Sequence, residues 1–249
     1  MKQKMELDDT MYFHCFPGLL CFTQCCKDVN IVLTPYDVLR LKNAMGMSSY
    51  DFLDKYAIIL YKEKKLLPIV MLKMDEKDKT CPFVSEQGCR IYKDRPWACR
   101  MFPLEADEDG TYRFLVDEDK CLGLRVEREW KVAEWLSEQG VPEYDQMNKK
   151  FLEMTEPLKK LEPQIDNPRI QDMLFMALYN LDKFREFIIN TSFLQKFDFS
   201  MSKIKKLLAS DVELLMLGID WVRFGLFGEP TLKIRKKDTS KKSNDSTKK

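Results

Sequence analysis

Residues 13–26 read FHCFPGLLCFTQCC and hold four of the eight cysteines of the chain. Along the sequence the cysteines form two groups, Cys15, Cys21, Cys25 and Cys26 followed by Cys81, Cys89, Cys99 and Cys121. Thiolates are strong ligands for zinc and for iron–sulfur clusters. Four thiols this close in sequence can be brought together at a small loop-closure cost. The stretch therefore predicts a metal centre built on cysteine.

The composition is that of a folded protein. The chain has 249 residues, of which 45% are hydrophobic, so it can bury a sizeable core in one large or two modest domains. Lysine and arginine number 41 against 40 aspartates and glutamates, but residues 231–249 hold 8 basic and 2 acidic residues. The body of the chain is thus mildly acidic and only the tail is basic. A basic tail without interleaved aromatic residues gives no indication of specific nucleic-acid binding.

The segment at the N-terminus, MKQKMELDDTMYF, has charges but no apolar region of the kind found in a signal peptide. No later stretch approaches the roughly 18 uninterrupted apolar residues that a bilayer-spanning helix needs. We therefore expect a cytoplasmic protein that does not partner a membrane. Because a reducing compartment disfavours disulfides, the cysteines are expected to serve metal binding or redox chemistry.

Helix signals follow the first cysteine group. NIVLTPYDVLRLKNAMG predicts a short strand that leads into a helix, with Thr34 as N-cap, Pro35 in the first helical position and Asp37 in the third. MSSYDFLDKYAIIL predicts a second helix, capped by Ser48 or Ser49. Helix capping accounts for Asp37 without a catalytic role.

Shorter elements surround the second cysteine group. KLLPIVMLKM and TYRFLVDE are typical of strands, and Asp109-Gly110 indicates a turn. Asp94 is predicted to cap a short helix carrying RPWACRM, which Pro103 ends.

From about residue 125 the pattern becomes helical. The predicted helices include Tyr144–Leu161, Ile170–Ile189 and Met201–Phe224. We therefore expect an α+β fold, with a small cysteine-rich metal-binding module at 10–124 and a mostly helical region at 125–230. A disordered basic tail is expected at 231–249.

The spacing of the cysteines leaves the metal open. It reads Cys15-x5-Cys21-x3-Cys25-Cys26 and then Cys81-x7-Cys89-x9-Cys99-x21-Cys121, which matches neither the paired CxxC knuckles of a zinc ribbon nor a bacterial ferredoxin run. Four thiolates complete either a zinc site or a [4Fe–4S] cluster, so eight suffice for two centres or for one centre with spare thiols.

Arginines accompany the second group. Arg95 and Arg100 lie four and one residues from Cys99 in KDRPWACRMFP. Arginine stays protonated, so it can offset the negative charge of several thiolates and donate hydrogen bonds to them or to sulfide. We predict that both side chains lie next to the cysteine ligands of the bound cofactor without binding the metal themselves.

These features together resemble the YkgJ-like cysteine-cluster family, whose CxxCxxCC motif defines a zinc- or iron-chelating domain. The resemblance runs from about Phe13 to Gly123, through FHCFPGLLCFTQCC, IVLTPYDVLRL, GMSSYDFLDKYA, CPF, GCRIYKDRPWACRMFP and CLG. The family pattern places two residues between successive cysteines before the final pair, whereas this chain has five and then three.

The resemblance implies that all eight cysteines are metal ligands, most simply of an iron–sulfur cluster in electron transfer or in a redox-linked modification, with Zn²⁺ as the alternative. One branch of the family, the flagellin lysine N-methylases, implies an enzymatic alternative, an S-adenosylmethionine-dependent protein-lysine methyltransferase, although the chain has only 9 glycines and no glycine-rich nucleotide loop. A third alternative is a zinc-stabilised interaction module that docks an unknown protein partner.

His14 is the only histidine in the sequence. Its imidazole can act as a general base or as a metal ligand. Its position directly before Cys15 instead favours a side chain that lies next to the metal centre without binding the metal.

Overall fold

A computed structural model describes residues 4–164 and 167–236. Short strand pairs and small helices occupy the first half of the chain, and longer helices fill the second half. The predicted α+β class is therefore confirmed. Across these two ranges, no helix combines the length and the apolar character needed to cross a membrane.

The first two helices begin where the capping signals predict. Helix α1, Pro35–Ala44, is capped by Thr34, whose hydroxyl accepts from the Asp37 backbone while the Asp37 carboxylate accepts from the Thr34 backbone. This reciprocal pair is a capping box. Helix α2, Ser49–Tyr56, is capped by Ser48. It is shorter than predicted, because AIIL forms a strand instead.

The strands form antiparallel pairs, each made of two strands. Isoleucines favour the extended conformation because their branched side chains pack well on a pleated surface, which explains the end of α2 before Ile58. The pairs in the described residues are β1 (Thr10–Tyr12) with β8 (Glu129–Lys131), β2 (Ala57–Leu60) with β3 (Ile69–Leu72), β4 (Val84–Ser85) with β5 (Gly88–Cys89), and β6 (Leu104–Ala106) with β7 (Tyr112–Phe114).

Helix α3, Trp97–Met101, carries Cys99 but is not capped as predicted. Its N-cap is Pro96, and no side chain makes a cap hydrogen bond there. Asp94 instead accepts two hydrogen bonds from the Arg40 guanidinium, at 2.9 and 2.7 Å. A charge-assisted fork of this kind outcompetes a local cap because it satisfies two donors at once.

The helical half contains more breaks than predicted. The segment Ile170–Ile189 is interrupted at Asn180, whose side chain accepts from the Lys183 backbone and starts a new helix. The segment Met201–Phe224 is interrupted at Ser210, which ends one helix and caps the next. The helices are α4 (Val132–Glu138), α5 (Val141–Leu161), α6 (Pro168–Leu178), α7 (Leu181–Asn190), α8 (Phe193–Lys196), α9 (Met201–Ala209) and α10 (Asp211–Phe227).

Two hydrophobic cores hold these elements together. We call the first the large core; it joins side chains of α1, α2 and β3 to those of α5, α6, α7 and α10. The small core combines residues near both strands of the β1–β8 pair with α3 and α4. Both cores therefore draw on residues from each side of position 124, and the boundary between 124 and 125 stays a prediction.

The predicted tail begins in contact with the body. Ile234 forms an antiparallel bridge with Phe197, so its first residues are attached to the helical region. Residues 237–249 of that predicted tail lie outside the described residues.

Candidate metal centre

The first cysteine group lies in an irregular loop between β1 and α1. At its start, the His14 backbone donates to the Gly123 carbonyl at 3.0 Å. At its end, Cys25 and Cys26 occupy a single 3-10 turn, Gln24–Cys26, preceded by Thr23 with φ of 67°. A β-branched residue in the left-handed region is strained. Backbone strain at Thr23 is therefore part of the conformation that places Cys25 and Cys26 in this turn.

Cys81 and Cys89 lie at the two ends of a tight hairpin. Strands β4 and β5 pair Val84 with Cys89. The turn requires glycine at 88, because its φ is +106° and an added Cβ would lie 3.2 Å from the Phe22 ring. The hairpin therefore packs closely against the cysteine loop.

Cys99 is placed by α3, whose start is fixed by a buried carboxylate. Asp37 has no exposed surface, and its second oxygen accepts from the Trp97 backbone at 2.8 Å. The same side chain therefore caps α1 and anchors α3. Sequence reasoning identified the first role and missed the second, because nothing in the local sequence signals a contact across sixty positions.

Cys121 precedes a 3-10 turn, Leu122–Arg125, and is buried in the small core. The Leu122 backbone donates to the Cys21 sulfur at 3.3 Å. Cys121 and Cys21 therefore lie close together although one hundred residues separate them.

In space the thiols divide into two sets of four. We call the first the outer set. Cys15 is close enough to Cys21, Cys25 and Cys121 for their charges to interact. Cys121 interacts in turn with Cys21 and Cys25. The outer set therefore consists of Cys15, Cys21, Cys25 and Cys121.

We call the second the inner set. Cys99 interacts with Cys81 and Cys89, and Cys26 interacts with Cys81 and Cys99. The inner set therefore consists of Cys26, Cys81, Cys89 and Cys99. The grouping along the sequence, which put Cys26 with the first three cysteines, does not describe the grouping in space: Cys26 and Cys121 exchange places.

Burial is the largest cause of the pKa shifts of Cys15, Cys81, Cys89, Cys99 and Cys121. It raises the pKa of Cys15 to about 11 and that of Cys99 to about 12, and neighbouring thiols add to both shifts. At the contact between the sets, the Cys26 thiol donates a hydrogen bond to Cys25, which lowers the pKa of Cys25 and raises that of Cys26. This hydrogen bond therefore favours the thiolate form of Cys25.

Backbone amides act in the opposite direction to burial. Burial raises the pKa of Cys81, Cys89 and Cys121, while backbone hydrogen bonds counteract it. The residues that supply these hydrogen bonds are Phe83 and Val84 for Cys81, Ile91 for Cys89, and Gly123 and Leu124 for Cys121. Such donors stabilise thiolate charge, as hydrogen bonds to metal-bound sulfur do.

The two predicted arginines differ in their contacts. Arg95 interacts electrostatically with Cys99 and Cys89, and its guanidinium donates to the Tyr92 carbonyl at 2.6 Å and to the Gln139 side chain at 2.5 Å. Burial lowers the pKa of Arg95. Gln139, at the end of α4, holds the Arg95 guanidinium in place. Sequence reasoning missed this residue, because a single glutamine in a polar segment gives no indication of such a contact.

Arg100 is directed at the protein scaffold. Its nitrogens donate to the carbonyls of Arg95 at 3.0 Å, Gln139 at 2.6 Å and Lys93. Its guanidinium also lies 4.2 Å from the Tyr144 ring centroid. The role of both arginines towards a bound cofactor stays a prediction, and these contacts give Arg100 a structural task as well.

His14 lies at the edge of the outer set. Its Nδ1 is 3.0 Å from an Arg128 nitrogen, and its ring stacks on Phe16 with centroids 5.2 Å apart. Its ring is therefore engaged by a cation and an aromatic neighbour.

The donor set fits a thiolate-bound metal. All eight cysteines are free thiols, and each set offers four of them, the number that completes a Cys₄ zinc site or a [4Fe–4S] cluster. Within residues 4–164 and 167–236, no three His, Cys, Asp or Glu side chains are arranged to hold a single metal ion. Ligation therefore requires the thiols of a set to draw together around the metal.

Comparison with known proteins supports the same chemistry. Searches of the curated proteins and of the solved structures give no significant match. Residues 14–122 match the family described as "CxxCxxCC: Putative zinc- or iron-chelating domain", which supports metal binding by this region. The predicted resemblance is confirmed, since the family that matches residues 14–122 is the one that the cysteine pattern indicated.

Proposed function

We propose that the chain binds an iron–sulfur cluster through its cysteine thiolates. The observation that carries the proposal is the convergence of thiols from four separate segments into sets of four, with backbone amides donating to their sulfurs. Ionising four thiols in partly buried surroundings costs free energy unless their negative charge is compensated. A bound metal supplies that compensation.

A buried arginine favours a cluster over a zinc ion. Arg95, which is 7% exposed, adds positive charge beside Cys89 and Cys99. Charge and hydrogen bonds around the sulfurs are the means by which proteins set the potential of an iron–sulfur centre. When bound, such a cluster would supply one-electron redox chemistry.

Metal analysis of protein purified without oxygen tests the proposal. We expect iron and acid-labile sulfide in equal amounts, with the visible absorption of a cluster. Zinc without iron would favour the zinc-stabilised interaction module, and a folded protein without metal whose eight thiols all titrate freely would contradict both readings.

Two variants test the ligand assignment. Cys26→Ser should lower the metal content and destabilise the cysteine region, because metal-binding energy in such a module is largely folding energy. His14→Ala is the control and should retain the metal. Loss of metal in the histidine variant alone would show that the ligands are assigned wrongly.

The lysine methyltransferase alternative makes a different prediction. It requires S-adenosylmethionine to bind the protein, which calorimetry measures directly. Heat of binding at micromolar concentrations would replace the electron-transfer reading by the enzymatic one.

A further inference from the structure

Backbone hydrogen bonds join the segments that carry the cysteines of each set. The chain that follows the first cysteine group pairs with the segment that leads to the second. The Cys81 backbone donates to the Cys26 carbonyl at 2.8 Å, and the Asp28 backbone donates to the Lys79 carbonyl at 2.9 Å. Lys27 and Thr80 form an antiparallel bridge between these contacts. Cys26 is therefore fixed to the segment that carries Cys81.

The start of the same loop is attached elsewhere. The His14 backbone donates to the Gly123 carbonyl, and the Leu122 backbone donates to the Cys21 sulfur. An added Cβ on Gly123 would lie 2.9 Å from the His14 carbonyl oxygen. Cys15 and Cys21 are therefore held against the segment that carries Cys121.

The two sets also pack against different cores. Cys81, Cys89 and Cys99 contact the large core, whereas Cys121 belongs to the small core. Each set therefore has its own hydrophobic support. The peptide bond between Cys25 and Cys26 is where the two environments meet.

We infer that the chain holds two separate four-thiolate metal centres side by side. The outer centre uses Cys15, Cys21, Cys25 and Cys121, and the inner centre uses Cys26, Cys81, Cys89 and Cys99. The inference rests on the proposed metal binding and specifies its stoichiometry and ligands. Because consecutive Cα atoms are about 3.8 Å apart, ligands on neighbouring residues keep the centres close enough for their charges to interact. Reduction of one centre should then make reduction of the other harder.

Paired serine variants distinguish this arrangement from one that follows the sequence. If the spatial sets are the ligand sets, Cys15→Ser/Cys121→Ser removes two ligands of one centre, and about half of the metal remains. Cys15→Ser/Cys26→Ser damages both centres and should leave almost none. If the ligand sets followed the grouping along the sequence, Cys15→Ser/Cys26→Ser would leave about half of the metal and Cys15→Ser/Cys121→Ser almost none. That result would overturn the inference.

Thiol footprinting keeps the test decisive where a double variant does not fold. In the metal-loaded Cys15→Ser protein, alkylation followed by mass spectrometry should label Cys21, Cys25 and Cys121. The four inner thiols should stay protected. Protection or labelling of all seven together would indicate a single centre and would contradict the inference.

Metal stoichiometry separates this inference from the proposed cofactor. Two clusters correspond to about eight iron atoms per chain. Two zinc ions without iron would support two centres and contradict the iron–sulfur proposal. One iron–sulfur cluster per chain would support the iron–sulfur proposal and contradict the presence of two centres. A folded protein that takes up no metal would refute both proposals.

Discussion

Replacement of Arg100 by methionine should destabilise the protein strongly, although the side chain lies one residue from a candidate ligand. Arg100 is 6% exposed, and its guanidinium joins three main-chain carbonyls to the Tyr144 hydroxyl, which accepts at 3.2 Å. Two of those carbonyls belong to the segment that leads into α3, and the third belongs to Gln139 at the end of α4. The side chain therefore fixes the position of α3.

The magnitude follows from the bonds that are lost. A hydrogen bond to a charged group contributes about 1.5–3 kcal/mol, and a cation–π contact that is shielded from water contributes about 2 kcal/mol. These contributions are not additive, and methionine avoids the cost of burying a charge. We expect a net loss of about 3–5 kcal/mol in the free energy of unfolding, which corresponds to a fall in Tm of roughly 10 °C for a chain of this size.

Urea unfolding of the metal-free protein, followed by circular dichroism, measures this loss. Arg113→Met is the matched control, since Arg113 pairs with Glu105 and Asp107 where its side chain is 37% exposed, and surface pairs contribute about 0–1 kcal/mol. Arg100→Lys keeps the charge but loses the planar fork of donors, so it should recover less than half of the loss. The reasoning is refuted if Arg100→Met is no more destabilising than the control.

Three further changes have distinct expected outcomes. Gly218→Ala should cost at least about 2 kcal/mol in thermal unfolding, because its Cβ would lie 2.2 Å from a carbonyl oxygen of α6, whereas Gly225→Ala on the same helix meets nothing within 4 Å and should stabilise it by up to about 1 kcal/mol; equal effects would contradict the packing. Gly123→Ala should lower metal content with little change in helicity, since its Cβ would lie 2.9 Å from the His14 carbonyl oxygen and push apart the two segments that the hydrogen bond from the His14 backbone to the Gly123 carbonyl joins; unchanged metal content would show that this contact does not position the outer thiols. Arg95→Met should lower the reduction potential of the protein-bound cluster, measured by spectroscopic titration, because a positive charge near two ligands favours the reduced state; an unchanged potential would make Arg95 purely structural.

Local signals predicted what local contacts decide. The start of α1 could be assigned from Thr34, Pro35 and Asp37, because a capping box involves residues three apart. The same reasoning failed for Asp94, whose carboxylate binds Arg40 from another helix. A cap and an ion pair use the same oxygen atoms, and only the tertiary fold determines which donor reaches them.

The candidate metal centre shows the same division. All eight cysteines could be named from the sequence as candidate ligands, because thiols grouped in a chain of this type indicate metal binding, and that assignment stays a prediction. Their division into sets could not be predicted in this way. Cys26 is drawn to Cys81 by hydrogen bonds between backbone segments, and backbone pairing over fifty residues depends on no residue type that a spacing pattern records.

The helices of the second half take part in positioning the cysteines of the first. Trp97 and Arg100, on the helix that carries Cys99, bond to Asp145 and Tyr144 of α5, and Arg95 bonds to Gln139. A metal bound to Cys99 would favour the conformation in which this thiol faces its partner thiols, so the free energy of binding would be shared with the packing of α3 against α4 and α5. A loss of packing in the large core should weaken the inner set first, since Cys81, Cys89 and Cys99 pack against that core, whereas the outer set is anchored to the small core and to the backbone of Gly123. The two sets thus have different sensitivities to the stability of the fold, which is the physical basis for treating them as separate centres.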